Sequence, residues 1–512
     1  MKADKKVRNL AAVILAGGMG TRMKSENPKA LSGLLENPLI FYAIKSLIEA
    51  GIKLVSDKGG EEKTKIKMSG GGAEAALPVL NKIGTVIGHK GDLVKNYILQ
   101  EKRFKIKGLS LDFAVQEKYL GTGDAAKKAL DMFPQNAEET DLIIMPCDMP
   151  LIGPETFAKT IKFHFDNDAD LTVLSVEIEN PYSYGRILRD KKGYAKKIIE
   201  EKELCGYPEK TACIKEINSG VYVVKLNLLK KFIGDVKPNN RKKEFYFTDI
   251  VDIFYKAGLK ILCYKSNDEE EFTGVNSKYD LLNAQKILQK RLIKDFMEKG
   301  VNFLSDDNVY TGYNVEIGEG SIVYPGVFLS GATRIMKSVV IENGCVIKDS
   351  SVMDNAKIKS YSVIENSVIM NDAQIGPFAR IRPEAYISEG ARIGNFVEVK
   401  KSSIGRNSKA SHLSYIGDSV IGENVNIGAG VITCNYDGEK KHITVIEDGC
   451  FIGSDSQLVA PVKVRKNSYV GSGTTVTKDV PEGALAISRT PQKNIDGWAL
   501  KKMKDGKKKK KE

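Results

Sequence analysis

From Ile317 onward, aliphatic side chains return at every sixth residue: Ile317, Val323, Leu329, Ile335, Ile341, Ile347 and Met353. The pattern slips, resumes through Ile375, Ile381, Ile387, Ile393 and Val399, and resumes again through Ile446, Ile452, Leu458, Val464, Val470 and Val476. A period of six fits neither the helical repeat of about 3.6 nor the strand repeat of about 2. It is the signature of a parallel β-helix, in which each hexapeptide forms one side of a triangular coil and its aliphatic residue points into the stack. Small residues follow several of these positions, as in Ile317-Gly318, Ile375-Gly376, Ile393-Gly394 and Val470-Gly471, and they permit tight corners. The register breaks from Cys434 to Thr444. That segment reads as a loop extruded from the coil, and loops on rigid scaffolds are where chemistry tends to sit.

The first half has another grammar. Short apolar runs (Leu10–Ala16, Thr85–Gly88, Leu111–Val115, Leu142–Met145 and Leu171–Val176) alternate with amphipathic segments such as Pro38–Ala50 and Pro154–Phe165. Such alternation predicts an α/β, Rossmann-like domain around a mostly parallel sheet. With 512 residues the chain exceeds one core, and the change of pattern sets the divisions. These are an α/β domain over 1–277 with a polar insert near 53–82, a connecting helix over 278–305, a left-handed β-helix over 306–480, and a C-terminal arm over 481–512. Leu281, Ala284, Leu288 and Leu292 supply the helical spacing of the connector.

Composition narrows the setting. The hydrophobic share of 42% and charged share of 28% are those of a soluble globular chain, and no apolar run approaches the roughly 18 residues of a membrane span. Seven cysteines are scattered without a C-x-x-C pair, which points away from disulfides and zinc and toward the cytoplasm. Of the net charge of +13, the last twelve residues hold eight lysines against Asp505 and Glu512. This run lacks interleaved aromatics and reads as a solvated tail rather than a nucleic-acid-binding segment.

Two places carry chemistry. Leu15-Ala16-Gly17-Gly18-Met19-Gly20-Thr21-Arg22-Met23 follows a strand, and Pro28-Lys29 lies just behind it. Glycines let backbone N–H groups approach phosphate oxygens, while Arg22 and Lys29 can offset charge in phosphoryl transfer. No Gly-Lys-Ser/Thr follows, so this is not a P-loop, and Met23 stands where the dinucleotide fingerprint needs its last glycine. Asp148, after the run Leu142–Met145, and Asn276 offer hard oxygen atoms of the kind Mg²⁺ accepts alongside phosphate and water. The second place surrounds His412, one of four histidines. A lone histidine at a coil corner is ordinarily a packing residue. Its neighbours Arg382, Lys400, Tyr415, Asn426, Asn435, Tyr436 and Lys441 suit an anionic sugar phosphate, and imidazole suits removal of a proton from an amine.

The ordered set of motifs resembles the bifunctional N-acetylglucosamine-1-phosphate uridyltransferase/glucosamine-1-phosphate acetyltransferase family over nearly the whole chain. The motifs are the Leu15–Met23 loop with Pro28-Lys29, Gln116 with Leu120-Gly121-Thr122-Gly123, Asp148-Met149-Pro150-Leu151, Tyr184-Gly185-Arg186-Ile187, Glu200, Glu216-Ile217-Asn218 and Gly274-Val275-Asn276. In the second half they are Phe378–Pro383, Gly394–Glu398, Asn426–Gly430 and Cys434–Gly438. The resemblance implies that Leu15, Ala16, Gly17 and Gly18 line the nucleotide site, and that Arg22 and Lys29 hold the triphosphate and sugar phosphate. It assigns uracil to Gln116, Gly121 and Thr122, N-acetylglucosamine to Gly185, Glu200 and Asn218, and Mg²⁺ to Asp148 and Asn276. In the β-helix it implies His412 as base, helped by Asn435. Arg382, Lys400, Tyr415 and Lys441 hold glucosamine 1-phosphate, with Asn426 and Tyr436 in the same substrate site. Ala429, Ser454, Ser472 and Arg489 border acetyl-CoA. It further implies a homotrimer that uses acetyl-CoA and UTP. Cys147, Glu384 and Ser472 depart from the usual family pattern. Two other assignments use the same pair of folds: a hexose-1-phosphate nucleotidyltransferase with a regulatory β-helix, and a non-catalytic translation exchange-factor subunit. Retention of His412 with Asn435 argues against the first, and retention of Arg22, Lys29 and Asp148 against the second.

Overall fold

Strands with no polar face need cover on both sides, and the first of the two compact units supplies it. The computed structural model describes residues 9–18, 20–56, 80–134, 139–238 and 243–508, and the chain divides into Met1–Gln289 and Lys290–Glu512. In the first unit the strands of the main sheet are β1 (Asn9–Ala16), β2 (Leu80–Ile87), β3 (Ser110–Val115), β4 (Thr140–Pro146), β5 (Leu171–Glu177), β6 (Arg186–Arg189), β7 (Ala195–Ile199), β8 (Glu216–Lys225) and β9 (Ile261–Ser266). They form one sheet in the order β9-β5-β8-β4-β1-β2-β3, with β6 on β8 and β7 on β6. β1 is parallel to both β2 and β4, so β1 and β4 end at the same edge. The loop after β1 and Asp148 after β4 therefore share the crevice where α/β sheets bind ligands.

The mostly parallel sheet that alternation implied is present, and its antiparallel part includes β8, which runs against both β4 and β5. The expected strand at Thr85–Gly88 is the end of a longer one, and the helix expected at Pro38–Ala50 runs from Leu39 to Ser56. The insert expected near 53–82 lies mostly outside the described residues. One of the four histidines is structural: His164 is fully buried, with Nδ1 2.9 Å from Thr172 Oγ1 and Nε2 3.3 Å from Asp141 Oδ1.

The second unit is a three-sided stack of parallel strands in sheets of 11, 10 and 9 among the described residues, the left-handed β-helix that the hexapeptide period specifies. Its axis is filled by aliphatic side chains, among them Val323, Leu329, Ile341, Ile375, Ile393, Val399, Ile452 and Val470. At the start of the stack, Ile293 and Phe296 from helix Lys278–Glu298 join Val301 and Phe303 in that core. The first coil strand is already Asn302–Phe303, and the last is Leu485–Ala486.

The slips in the period have a geometric cause. Some coils have one side of five residues, from Ile347 to Val352, Ile364 to Ile369, Val399 to Ile404 and Ile416 to Ile421, and these eight side chains are all buried. The corners on these sides take a left-handed backbone at Asp349, Asn366, Lys401 and Asp418, and three of the four are Asn or Asp, which tolerate that conformation best after glycine. Val352, rather than Met353, is therefore the inward residue of its coil. Aromatic side chains stack outside at equivalent corners: Tyr361 on Phe378 at 5.3 Å, and Phe378 on Phe396 at 5.4 Å. No helix among the described residues is long and apolar enough to cross a membrane.

This register is testable with two neighbouring substitutions. Val352→Asp places a carboxylate in the dry stack and should cost roughly 3 kcal/mol or more, whereas Met353→Asp should cost under about 0.5 kcal/mol. Thermal unfolding of the two variants checks the assignment, and equal losses would contradict it.

Candidate active sites

In the first unit, residues far apart in sequence converge on one cation. Lys29, buried behind the glycine loop, places Nζ 2.5 Å from Asp148 Oδ2 and 2.9 Å from Asn276 Oδ1. Arg22 donates to the same Asn276 oxygen at 2.8 Å. Two turns hold the acceptors in place: Val275 N–H donates to the Asp148 carbonyl at 2.8 Å, and Asp280 accepts from the backbone of Asn276 and Ser277. Beside them Cys147 is inert, because burial and the neighbouring Asp148 push its thiol up to about 12.

The glycine loop is shaped by close approach. A Cβ on Gly17 would lie 2.9 Å from Gln116 Oε1, and one on Gly88 would lie 2.4 Å from the Gly17 carbonyl oxygen. Gln116 is held by its amide, which donates to Gly121 O at 3.1 Å and Asp124 Oδ2 at 2.7 Å. Gly121 has a positive φ of 113°, and a Cβ there would meet the Phe245 carbonyl at 2.4 Å. Thr122 Oγ1 accepts from Phe247 N–H at 3.0 Å. Leu15 and Ala16 close β1, and the Leu15 carbonyl accepts from Cys147 N–H at 3.2 Å.

Gly185, Glu200 and Asn218 form a second group. Asn218 N–H donates to the Gly185 carbonyl at 2.9 Å, and its side chain donates to Tyr222 Oη at 2.7 Å. Glu200 accepts from Thr248 Oγ1 at 3.0 Å, and burial raises its carboxyl above the ordinary value.

The second unit gathers its set on three successive coils and the loop. His412, exposed at the end of strand Lys409–His412, has Nδ1 2.8 Å from Asn395 Oδ1 on the preceding coil. Asn435 is buried and donates to Asp418 Oδ2 at 2.5 Å. Arg382 is paired with Glu398 at 2.7 Å, which raises the guanidinium further. Lys441 is lowered, because the Lys400 ammonium beside it disfavours a second positive charge. Tyr415 and Asn435 both pack against Gly417, where a Cβ would come within 2.5 Å of Tyr415 Oη and 2.9 Å of Asn435 Nδ2. The loop closes through a bridge between Tyr436 and Lys441 and by the Tyr436 hydroxyl donating to Gly438 O. Asn426 lies on the sheet that carries His412, next to Lys409.

The residues expected around acetyl-CoA follow one corner along the stack. Asp455 N–H donates to Ala429 O at 2.7 Å, and Gly473 N–H donates to Ser454 O at 2.8 Å. A Cβ on Gly453 would stand 2.5 Å from Ser472 N, and one on Gly471 would stand 3.4 Å from an Arg489 terminal nitrogen.

A nucleotidyl transferase model matches residues 78–291, and a model described as GMPPB C-terminal domain matches 305–382 and 368–482. The bifunctional protein GlmU of Thermodesulfovibrio yellowstonii is 42% identical over 96% of this chain and 99% of its own. That of Thermoanaerobacter pseudethanolicus is 40% identical over 98% of this chain and 100% of its own. The chain belongs to the bifunctional GlmU family. Among solved structures, a UDP-glucose pyrophosphorylase complexed with UDP-glucose matches 55% of this chain and 99% of its own, at 17% identity and a TM-score of 0.41.

Several side chains that shape these two GlmU-type sites had no role assigned from the sequence: Asp124 behind Gln116, Thr248 behind Glu200, Asp418 behind Asn435, and, within the Gly394–Glu398 motif, Asn395 behind His412 and Glu398 behind Arg382. In the β-helix a signal was available, since each partner lies about one coil away in sequence. None was available in the first unit.

The loop geometry predicts unequal costs for two glycines. Gly88→Ala drives a methyl into backbone and should lose about 1–3 kcal/mol. Gly17→Ala meets a side chain rather than backbone, the hydrogen-bonded end of Gln116, and should cost less, about 1 kcal/mol. Chemical denaturation of both variants measures the difference.

Proposed function

We propose that the chain acetylates glucosamine 1-phosphate with acetyl-CoA, then joins the N-acetylglucosamine 1-phosphate formed to UTP, giving UDP-N-acetylglucosamine and pyrophosphate. The observation that carries this reading is that both charged constellations are intact in one chain: Arg22, Lys29, Asp148 and Asn276 in the first unit, and His412, Asn435, Arg382, Lys400 and Lys441 in the second.

In acetyl transfer, His412 takes the proton from the amine as its nitrogen attacks the thioester carbonyl, and coenzyme A leaves as the thiol. Asn435, fixed by Asp418, helps place the amine. Lys400 and Lys441 oppose one another, and a phosphate dianion between them relieves that repulsion, with Arg382 adding a planar donor set. Tyr415, Asn426 and Tyr436 complete the acceptor site. Ala429, Ser454, Ser472 and Arg489 border the acetyl donor.

In uridyl transfer, a sugar-phosphate oxygen attacks the α-phosphorus of UTP and pyrophosphate departs in line. Leu15, Ala16, Gly17 and Gly18 bring backbone close to the nucleotide, and Gln116, Gly121 and Thr122 read uracil. Gly185, Glu200 and Asn218 hold the N-acetylglucosamine part. Asp148 and Asn276 already direct two oxygen atoms at the Lys29 ammonium, and this hard-oxygen pair would hold Mg²⁺. Bound there, the metal would supply charge neutralisation for the triphosphate. Arg22 and Lys29 offset the rest.

The enzyme works in the cytosol, consistent with seven scattered cysteines. It assembles as a homotrimer whose acetyl site is shared between chains, consistent with the exposed ladder Tyr361, Phe378, Phe396 and Leu413. Light scattering at working concentration should return three chains. A fully active monomer would overturn the assembly.

The two chemistries should separate by substitution. Asp148→Ala should abolish pyrophosphate release and leave acetyl transfer intact. His412→Ala should lose about 10²–10⁴-fold in acetyl transfer, mainly in turnover, and keep uridyl transfer from supplied N-acetylglucosamine 1-phosphate. Assaying both half-reactions and the melting temperature on each variant decides the matter. Near-normal acetylation by His412→Ala, or uridyl transfer by Asp148→Ala, ends the corresponding assignment.

A further inference from the structure

His412 lies where its sheet departs from its own pattern. Nine of the eleven strands in that sheet are two residues long, while Arg392–Asn395 and Lys409–His412, on adjacent coils, are each four. Their pairing continues from Arg392 with Lys409 and Ile393 with Ala410 to Asn395 with His412. Gly394 makes the extension feasible, because a Cβ there would stand 1.9 Å from the Ser411 carbonyl oxygen. Both strands then turn through a left-handed residue, Phe396 and Leu413, and Leu413 N–H donates to the Asn395 carbonyl at 3.1 Å. The local backbone thus sets the side chains of Asn395 and His412 next to one another, with Oδ1 2.8 Å from Nδ1.

The chemistry of that contact is directional. An amide oxygen only accepts, so the ring nitrogen facing it must carry the proton. A neutral imidazole has one N–H, and fixing it on Nδ1 leaves the Nε2 lone pair free. The other tautomer would present an N–H to an incoming amine and could not act as a base.

We propose that Asn395 is a positioning residue for acetyl transfer: its side-chain carbonyl holds the proton on Nδ1 of His412 and orients the ring so that Nε2 receives the proton of the amine. The proposal rests on the reading of His412 as the base, and it goes further by assigning the tautomer and the residue that selects it.

The test compares Asn395→Ala, which removes the acceptor, with Asn395→Asp, which keeps an acceptor oxygen at the same reach. Asn395→Ala should lower kcat for acetyl transfer about tenfold, with KM for glucosamine 1-phosphate and acetyl-CoA unchanged. Asn395→Asp should recover most of that loss. Uridyl transfer and the melting temperature should stay at parental values in both. Ring ¹⁵N spectra, with the His412 signals identified by their absence in His412→Gln, should show Nδ1 protonated in the parent and in Asn395→Asp, and a shift toward Nε2 protonation in Asn395→Ala. A parental kcat in Asn395→Ala, equal impairment of the two variants, or an unchanged tautomer would overturn the proposal. Retained acetylation in His412→Ala would instead remove the underlying reading of the base, so the two failures are distinguishable.

Discussion

The acetyltransferase half depends on coils that stack in register. Each inward aliphatic residue covers its counterpart on the next coil, strands of neighbouring coils sit about 4.8 Å apart, and every outward position inherits the same order. A ladder of equivalent side chains therefore runs up each face and corner. The stacked Tyr361, Phe378 and Phe396 rings show this on the outside, as does the corner line of Ala429, Ser454 and Ser472. Polar contacts such as Asn395 with His412 and Asp418 with Asn435 follow the same rule, being neighbours across one coil rather than along the chain.

The nucleotidyl half is organised by strand order. With β1 between β2 and β4 and parallel to both, the turns leaving β1 and β4 are adjacent at one sheet edge. This lets Lys29 reach Asp148 across 119 positions of sequence and Asn276 across 247. Each acceptor is also held through its backbone, Asp148 by Val275 N–H on its carbonyl and Asn276 by its own N–H on the Asp280 carboxylate.

Legibility from sequence followed the same division. The β-helix was readable because one physical demand, an aliphatic residue facing the axis, repeats often enough to stand out. The five-residue sides were not readable as such: omitting one residue at a corner looks like a lapse in the pattern, and so Met353 was placed inward where Val352 belongs. In the first unit β1, β4 and β5 were visible as apolar runs, but the antiparallel β8 was not, since direction within a sheet leaves no local trace. Partners that act through another side chain escaped in both halves. In the β-helix, Asn395 and Asp418 lie one coil before the residues they hold, an offset that becomes readable only once the length of each coil is known. In the first unit, Asp124 and Thr248 obey no offset at all.

The loop after Cys434 leaves the stack and returns to it without disturbing what lies above. Lys409 pairs with Asn426 at the ordinary spacing, Asn426 pairs with Phe451 across the longer excursion, and Phe451 pairs with Tyr469 at ordinary spacing again. The coil therefore keeps no record of how many residues were spent outside it. Lys441 and Tyr436 sit on an excursion whose length can change while the corner line of Ala429, Ser454 and Ser472 keeps its alignment. A scaffold that keeps its register in this way can lengthen or shorten a surface loop by local edits alone.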